Sequence, residues 1–363
     1  MIRFFIGALA LAALPALADD IATRDHSVPV TSTVPAIAGQ TVQLYVRERA
    51  TPDVLKNGAS DKVVLFVHGA GTPAEVSFDP SAPGYSWMGY LAAHGYDVFS
   101  VDMEGYGRSA RPALMDNTCN LSLKQQKTFG VRCSQTYPGA LTNIGSDWND
   151  ISAAVAFIQK LRHVQKINLI GWSQGGPRAG GWTAQHPDQV ARLVLLAPAY
   201  SRNTKSEIPL PQPGPVFNTQ THGEFMENWD RQAQCPGQAD PTVAAAVWSD
   251  MLASDPVGAT WRPAVRRASI SANSPGWTPA MVQAMTTPTL MVSGENDRQV
   301  NPDNVRNFYA DIGSAQKVFV DLACSSHMAM WEKNHELLFA ASLEWLEHGT
   351  VNGQTQAMLK MGY

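Results

Sequence analysis

Residues 169–177 read LIGWSQGGP, which places Ser173 between two glycines directly after an apolar run. A serine hydroxyl is a poor nucleophile until a base takes its proton, and that base needs an acid to hold its tautomer and offset its cationic form. The glycine-x-serine-x-glycine pattern alone is weak, since average usage predicts roughly 0.1 chance occurrences in a chain this long. Its context is stronger. KINLIG has the length and apolarity of a buried strand, and a helix is expected after the serine; in that setting a strained turn lifts the hydroxyl above a sheet edge. Gly175, Gly176, Gly180 and Gly181 lie in that helix. Each costs about 0.8–1 kcal/mol relative to alanine, which implies close backbone packing at the turn.

The partners are sought where later strands end. TLMVSGENDRQV offers Asp297, with Glu295 as the reserve acid, and KVFVDLACSSHMAMW delivers His327 in a loop. An acyl-transfer site also needs backbone N–H donors for the charge that develops on the carbonyl oxygen. VHGAGTP places Ala70 beside the serine turn, and Gln174, next after the nucleophile, gives the second N–H. His68 reads as a packing residue behind the glycine loop, His94 and His186 as helix-end residues, His163 as a residue of a connection before a strand, and His335 as a surface or packing residue on a helix.

The elements that must position these groups alternate. TVQLYVR (41–47) has the period of a half-buried strand, whereas KVVLFVHG and YDVFSVD read as strands buried on both faces. A helix at 86–95 separates the last two. A helix over 147–161, the strand KINLIGW, the glycine-rich helix to about 185, and the strand VARLVLLAPA follow. TPTLMVSG, a helix at 302–311, KVFVDL and the amphipathic NHELLFAASLEWLEHG resume the alternation. This order predicts an α/β fold with a mostly parallel central sheet flanked by helices.

Three stretches stand outside it. Residues 19–40 are rich in Ser, Thr, Pro and Ala and read as an extended arm; residues 110–145 read as loop. Residues 200–285 begin with the proline-rich IPLPQPGP and continue with helical patterns, as expected of a helical lid between core segments 19–199 and 286–363. This lid carries Phe217, Phe225, Trp229, Trp248, Trp261 and Trp277, of which two or three are expected to meet substrate and the rest to hold the lid to the core.

The first eighteen residues, with Arg3, an apolar stretch and small residues at Ala16 and Ala18, have the layout of a secretory signal cleaved after Ala18. The expected location is therefore secreted or periplasmic. No later segment is long and apolar enough for a membrane helix, and a net charge of -4 without a basic stripe argues against nucleic acid. Export makes disulfide pairing the default for Cys119, Cys133, Cys235 and Cys324. Of three connectivities, Cys119 with Cys133 closes a short loop and leaves Cys235 with Cys324. No clustered Cys/His spacing suggests a metal.

HGAG (68–71), DMEGYGRS (102–109), GWSQGG (171–176), GENDRQV (294–300) and SSHMAMW (325–331) together resemble the α/β-hydrolase family, specifically its lid-bearing serine hydrolases. The resemblance covers roughly residues 41–348. It implies Ser173 as nucleophile, His327 as base and then acid, Asp297 as orienting acid, and the Ala70 and Gln174 N–H groups as oxyanion donors. Dehalogenases and epoxide hydrolases of this fold have an aspartate where Ser173 stands, which argues against those activities. HGAG departs from the HGGG of one esterase branch, which leaves Ala70 and Gly71 as alternative donors. The expected activity is hydrolysis of a small ester or lactone, apolar or aromatic, without metal or organic cofactor. Amide or peptide hydrolysis of the aminopeptidase kind is the alternative, and a non-catalytic ligand-binding protein of the same fold the rival from another class.

Overall fold

The computed structural model describes residues 21–58, 61–269 and 276–362; the expected signal segment 1–18 lies outside them. Nine strands form one sheet in the order β1-β2-β4-β3-β5-β6-β9-β10-β11. In chain order these are β1 (Ala22–Thr31), β2 (Thr41–Ala50), β3 (Val63–Val67), β4 (Asp97–Val101), β5 (Ile167–Trp172), β6 (Val190–Leu196), β9 (Thr289–Gly294), β10 (Lys317–Leu322) and β11 (Gln356–Met361). β2 pairs antiparallel with both β1 and β4, and the remaining pairs are parallel.

Every residue of β3, β4, β5 and β9 is buried, which explains their mostly apolar sequences: helices must cover both faces. Helix Trp87–Ala93 packs with His335–His348 in one layer, and Ile144–Arg162, Gly181–Gln185, Pro279–Ala284 and Pro302–Asp311 pack together in another. Among the described residues no helix is long and apolar enough to cross a membrane.

The arm expected over residues 19–40 is largely an edge strand. Along β1 only Val28 and Val30 are buried, and Pro29 sits on a strand with one partner, where a missing N–H is tolerated. The segment expected to be loop over 110–145 contains a short helix, Leu123–Thr128. Val34, Met115, Leu121, Leu141, Val216 and Phe217 form a small second core, joining the arm, this segment and the inserted segment after β6.

Residues 200–285 contain helices His222–Asp230 and Pro241–Ala253 and a two-stranded antiparallel sheet, β7 (Phe217–Thr221) with β8 (Ala264–Ala268). The segment expected to be helical is therefore mixed, with a strand pair beside its helices. FNTQT and AVRRA are short and polar and pair only with each other, so neither carries the periodicity by which a strand is recognised. Both disulfides form as the spacing suggested. Cys119–Cys133 closes a short loop, and Cys235–Cys324 ties the inserted segment to the turn after β10.

Candidate active site

Strand register brings the chemistry together. Gly294 of β9 pairs with Leu322 of β10, so the loops carrying Asp297 and His327 leave the sheet side by side. Val67 of β3 pairs with Gly171 of β5, so two residues further on Gly69 lies against Ser173. A Cβ at Gly69 would stand 3.0 Å from the Ser173 Cβ, and one at Gly175 would stand 2.4 Å from the Val67 carbonyl oxygen. These contacts are the close packing that the glycine-rich turn implied.

Ser173 has φ 60°, in the left-handed region that costs a β-carbon-bearing residue about 1–2 kcal/mol. Three backbone hydrogen bonds hold it there. Its N–H donates to Leu196 O at 2.8 Å, and its carbonyl accepts from the N–H groups of Gly176 and Ala199, both at 2.9 Å. Ala197 after β6 and Cys324 after β10 also have positive φ, so strained residues gather at the carboxyl ends of three strands around the site.

His327 Nδ1 hydrogen-bonds Asp297 Oδ2 at 2.7 Å, with both residues no more than 4% exposed. The other Asp297 oxygen accepts the N–H groups of Gln299 and Val300 at 2.7 and 2.8 Å. This carboxylate is thus fixed as an acceptor, Nδ1 carries the proton, and Nε2 is left for chemistry. Glu295, the reserve acid, goes elsewhere: it is exposed and paired with Lys360 at 2.7 Å, an interaction that holds its carboxyl below the usual range. Trp172 Nε1 donates to His327 O at 2.8 Å, so the tryptophan beside the serine also steadies the histidine loop.

Ser173, His327 and Ala70 line one cavity of about 230 Å³. Gln174 is buried at the start of the helix behind the serine. Asn218, Gln220, Phe225, Asn228, Arg267 and Ala268 of the inserted segment line the same cavity. Of the six aromatics considered for substrate contact, only Phe225 lines this cavity. Phe217 and Trp261 belong to the small second core, Trp277 packs on Tyr200 and Phe308, and Trp229 and Trp248 pack around Phe225.

Two buried charges escaped the sequence reading. Arg178, on the helix after the serine, donates through Nε to Asp147 Oδ2 at 2.7 Å and through Nη1 to the His68 and Gly69 carbonyls at 2.9 and 2.8 Å. It thereby pins the HGAG loop to the helix that follows Ser173. His68 is the packing residue expected. Its Nε2 accepts the Met103 N–H, its Nδ1 donates to Gly69 O, and burial with Arg178 alongside keeps it neutral, its pKa well below the usual range.

Glu332 accepts four hydrogen bonds: from Ser326 N–H and Oγ at 2.6 and 2.5 Å, Trp229 Nε1 at 2.8 Å and Gln238 Nε2 at 3.1 Å. Burial raises its pKa, opposed by those donors. Glu332 thus fastens the histidine loop to the inserted segment, as the Cys235–Cys324 bond does. Replacing both cysteines by serine should lower Tm by roughly 5–10 °C, because the bond closes a loop of 89 residues. It should also lower kcat several-fold below the melting range, because Cys324 stands three residues from His327. Unchanged turnover in a folded double variant, read by steady-state kinetics beside a melting curve, would limit the bond to stability.

The comparisons with known proteins agree with this architecture. The chain shares its fold with a thermophilic esterase from Thermogutta terrifontis (17% identity, TM-score 0.53, covering 88% of this chain and 98% of that one). It also shares it with a 2-hydroxy-6-oxo-6-phenylhexa-2,4-dienoate hydrolase from a Rhodococcus species (17% identity, TM-score 0.53, 90% and 99%). A meta-cleavage product hydrolase from Pseudomonas fluorescens is similar too (14% identity, TM-score 0.56, 89% and 98%). The fold and its neighbours define an α/β-hydrolase. The chain belongs to the family described as serine aminopeptidase, S33, which matches residues 58–334.

Proposed function

We propose that this chain is an exported serine hydrolase that cleaves a small carboxylic ester or lactone through an acyl-enzyme. The observation that carries the reading is the shared cavity: Ser173 on its strained turn, His327 oriented by Asp297, and the Ala70 loop all face one space. Ser173 Oγ attacks the carbonyl carbon while His327 Nε2 takes its proton, and the Ala70 and Gln174 N–H groups receive the oxyanion. Collapse breaks the bond to the leaving oxygen, which His327 protonates. Water then repeats the sequence and frees the acid.

The family description makes aminopeptidase action the second reading. Holding a substrate ammonium calls for carboxylates, and among the described residues the cavity lining contains none while it does contain Arg267. That charge favours ester or lactone over a free-amine peptide. Trp172, Phe225, Met328 and Trp331 offer an apolar wall for an aliphatic or aromatic part of the substrate. The two disulfides are consistent with a secreted or periplasmic site of action.

A panel of 4-nitrophenyl esters, aliphatic lactones and aminoacyl anilides, with a serine-directed phosphonate as label, tests the proposal. Ester or lactone turnover with labelling at Ser173 is expected. A folded protein that takes no label and turns over nothing would fit the ligand-binding rival, and selective anilide cleavage would fit the aminopeptidase reading.

A further inference from the structure

β8 carries two consecutive arginines whose surroundings differ sharply. Side chains alternate along a strand, so Arg266 and Arg267 leave opposite faces. Arg266 meets Asp255 at 2.7 Å and Asp116 at 2.5 Å, so its charge is matched. Arg267 faces the cavity that holds Ser173 and His327.

There its surroundings are neutral. Nη1 donates to Gln220 Oε1 at 3.3 Å and lies close enough to the glycine loop that a Cβ at Gly71 would stand 3.2 Å away. Asn218 is directly across the β7–β8 ladder. Among the described residues no carboxylate pairs with this guanidinium, and residues 270–275, ISANSP, contain none. Glu224 acts on it only through its charge, with no ion pair between them, and one Glu224 oxygen accepts from the Thr221 N–H and hydroxyl. Burial consequently pulls the Arg267 pKa below the usual value, the mark of a cation short of compensation.

We infer that Arg267, with Gln220 and Asn218 beside it, is an anion subsite, and that the substrate is an ester or lactone bearing a carboxylate. The substrate assignment rests on the hydrolase reading above; the anion subsite does not. A guanidinium matches a carboxylate with two parallel hydrogen bonds, and pairing in a water-poor cavity is stronger than at the surface. The place of Arg267 against the Gly71 loop puts that carboxylate within a few bonds of the scissile carbonyl, so a short half-ester fits better than a long one.

Binding is measured without turnover, on Ser173→Ala protein, by calorimetric titration. Monomethyl glutarate carries its charge on the acyl side and O-butyrylglycolate on the alcohol side; the neutral counterparts are dimethyl glutarate and methyl O-butyrylglycolate. At least one acid should bind roughly tenfold to a hundredfold tighter than its neutral counterpart. Arg267→Gln should close that gap and Arg267→Lys should retain part of it. Gln220→Glu provides a second route, since a carboxylate built beside Arg267 should occupy it and close the gap with the arginine in place. Equal binding of acids and neutral esters, or a gap that survives both Arg267→Gln and Gln220→Glu, overturns the inference. A gap in binding without hydrolysis by the wild-type chain would keep the anion subsite and overturn the proposed reaction instead.

Discussion

Ser173→Ala is expected to lower kcat on any ester the protein cleaves by about 10⁵-fold or more, with little change in KM. In the proposed reaction the hydroxyl supplies the bond-forming electrons, whereas the rest of the cavity wall is unchanged. His327→Ala should cost nearly as much, and the double variant little beyond either, because the proposed mechanism makes the two residues act as one unit. The melting temperature should stay close to wild type. Alanine keeps the β-carbon, so the turn at φ 60° retains its strain and its backbone hydrogen bonds. Ser173→Gly should stabilise the fold by about 1 kcal/mol, since glycine takes that conformation freely. A Ser173→Ala enzyme with more than about 1% of wild-type turnover would mean that another group attacks the substrate.

Arg178→Met should be the most damaging single change to stability among residues near the site. It leaves Asp147 buried without its cation, at a cost of about 3–5 kcal/mol, and takes the donor from the His68 and Gly69 carbonyls. Burial already raises the Asp147 pKa, and Arg178 is what opposes that rise. Without the arginine the folded-state pKa climbs further above the unfolded value. Stability of the variant is then retained at low pH, where Asp147 is buried as the neutral acid, and lost as pH rises through the folded-state pKa. Chemical denaturation of variant and wild type at pH 5 and pH 8 should show the larger deficit at pH 8.

Turnover separates the two tasks of Arg178. Adding Asp147→Leu should recover most of the stability by removing the orphaned charge, yet kcat should remain about tenfold to a hundredfold low because the HGAG loop still lacks its anchor. Full recovery of kcat in the double variant would confine Arg178 to holding the fold together.

What could be read from the sequence follows from how local each signal is. Ser173, Asp297 and His327 each stand shortly past a mostly apolar, strand-length segment, and the parallel sheet lines those segment ends up along one edge. Arg178 could not be recognised in this way. In GGPRAGG it looks like an ordinary helix arginine, and its buried state depends on Asp147, thirty-one positions earlier. Glu332 likewise draws its donors from Trp229 and Gln238 in a different segment. The edge strands β1 and β11 are hard to recognise because each has only one partner: β1 buries only Val28 and Val30, and no residue of β11 is buried. Arg266 and Arg267 are indistinguishable as letters; only the face of β8 from which each leaves separates a matched charge from an unmatched one.

The division of the cavity into two walls carries an evolutionary consequence. The wall made by Ala70, Ser173 and His327 is locked by backbone hydrogen bonds, by Arg178 and by Asp297, so a substitution there disturbs several partners at once. The wall from the inserted segment, with Asn218, Gln220, Phe225, Asn228 and Arg267, stands on a two-stranded sheet and a helix that can change without altering the central strands. Descendants of this chain that acquire new substrates should therefore differ mainly at these five positions, while Asp147 and Arg178 are inherited or exchanged as a pair.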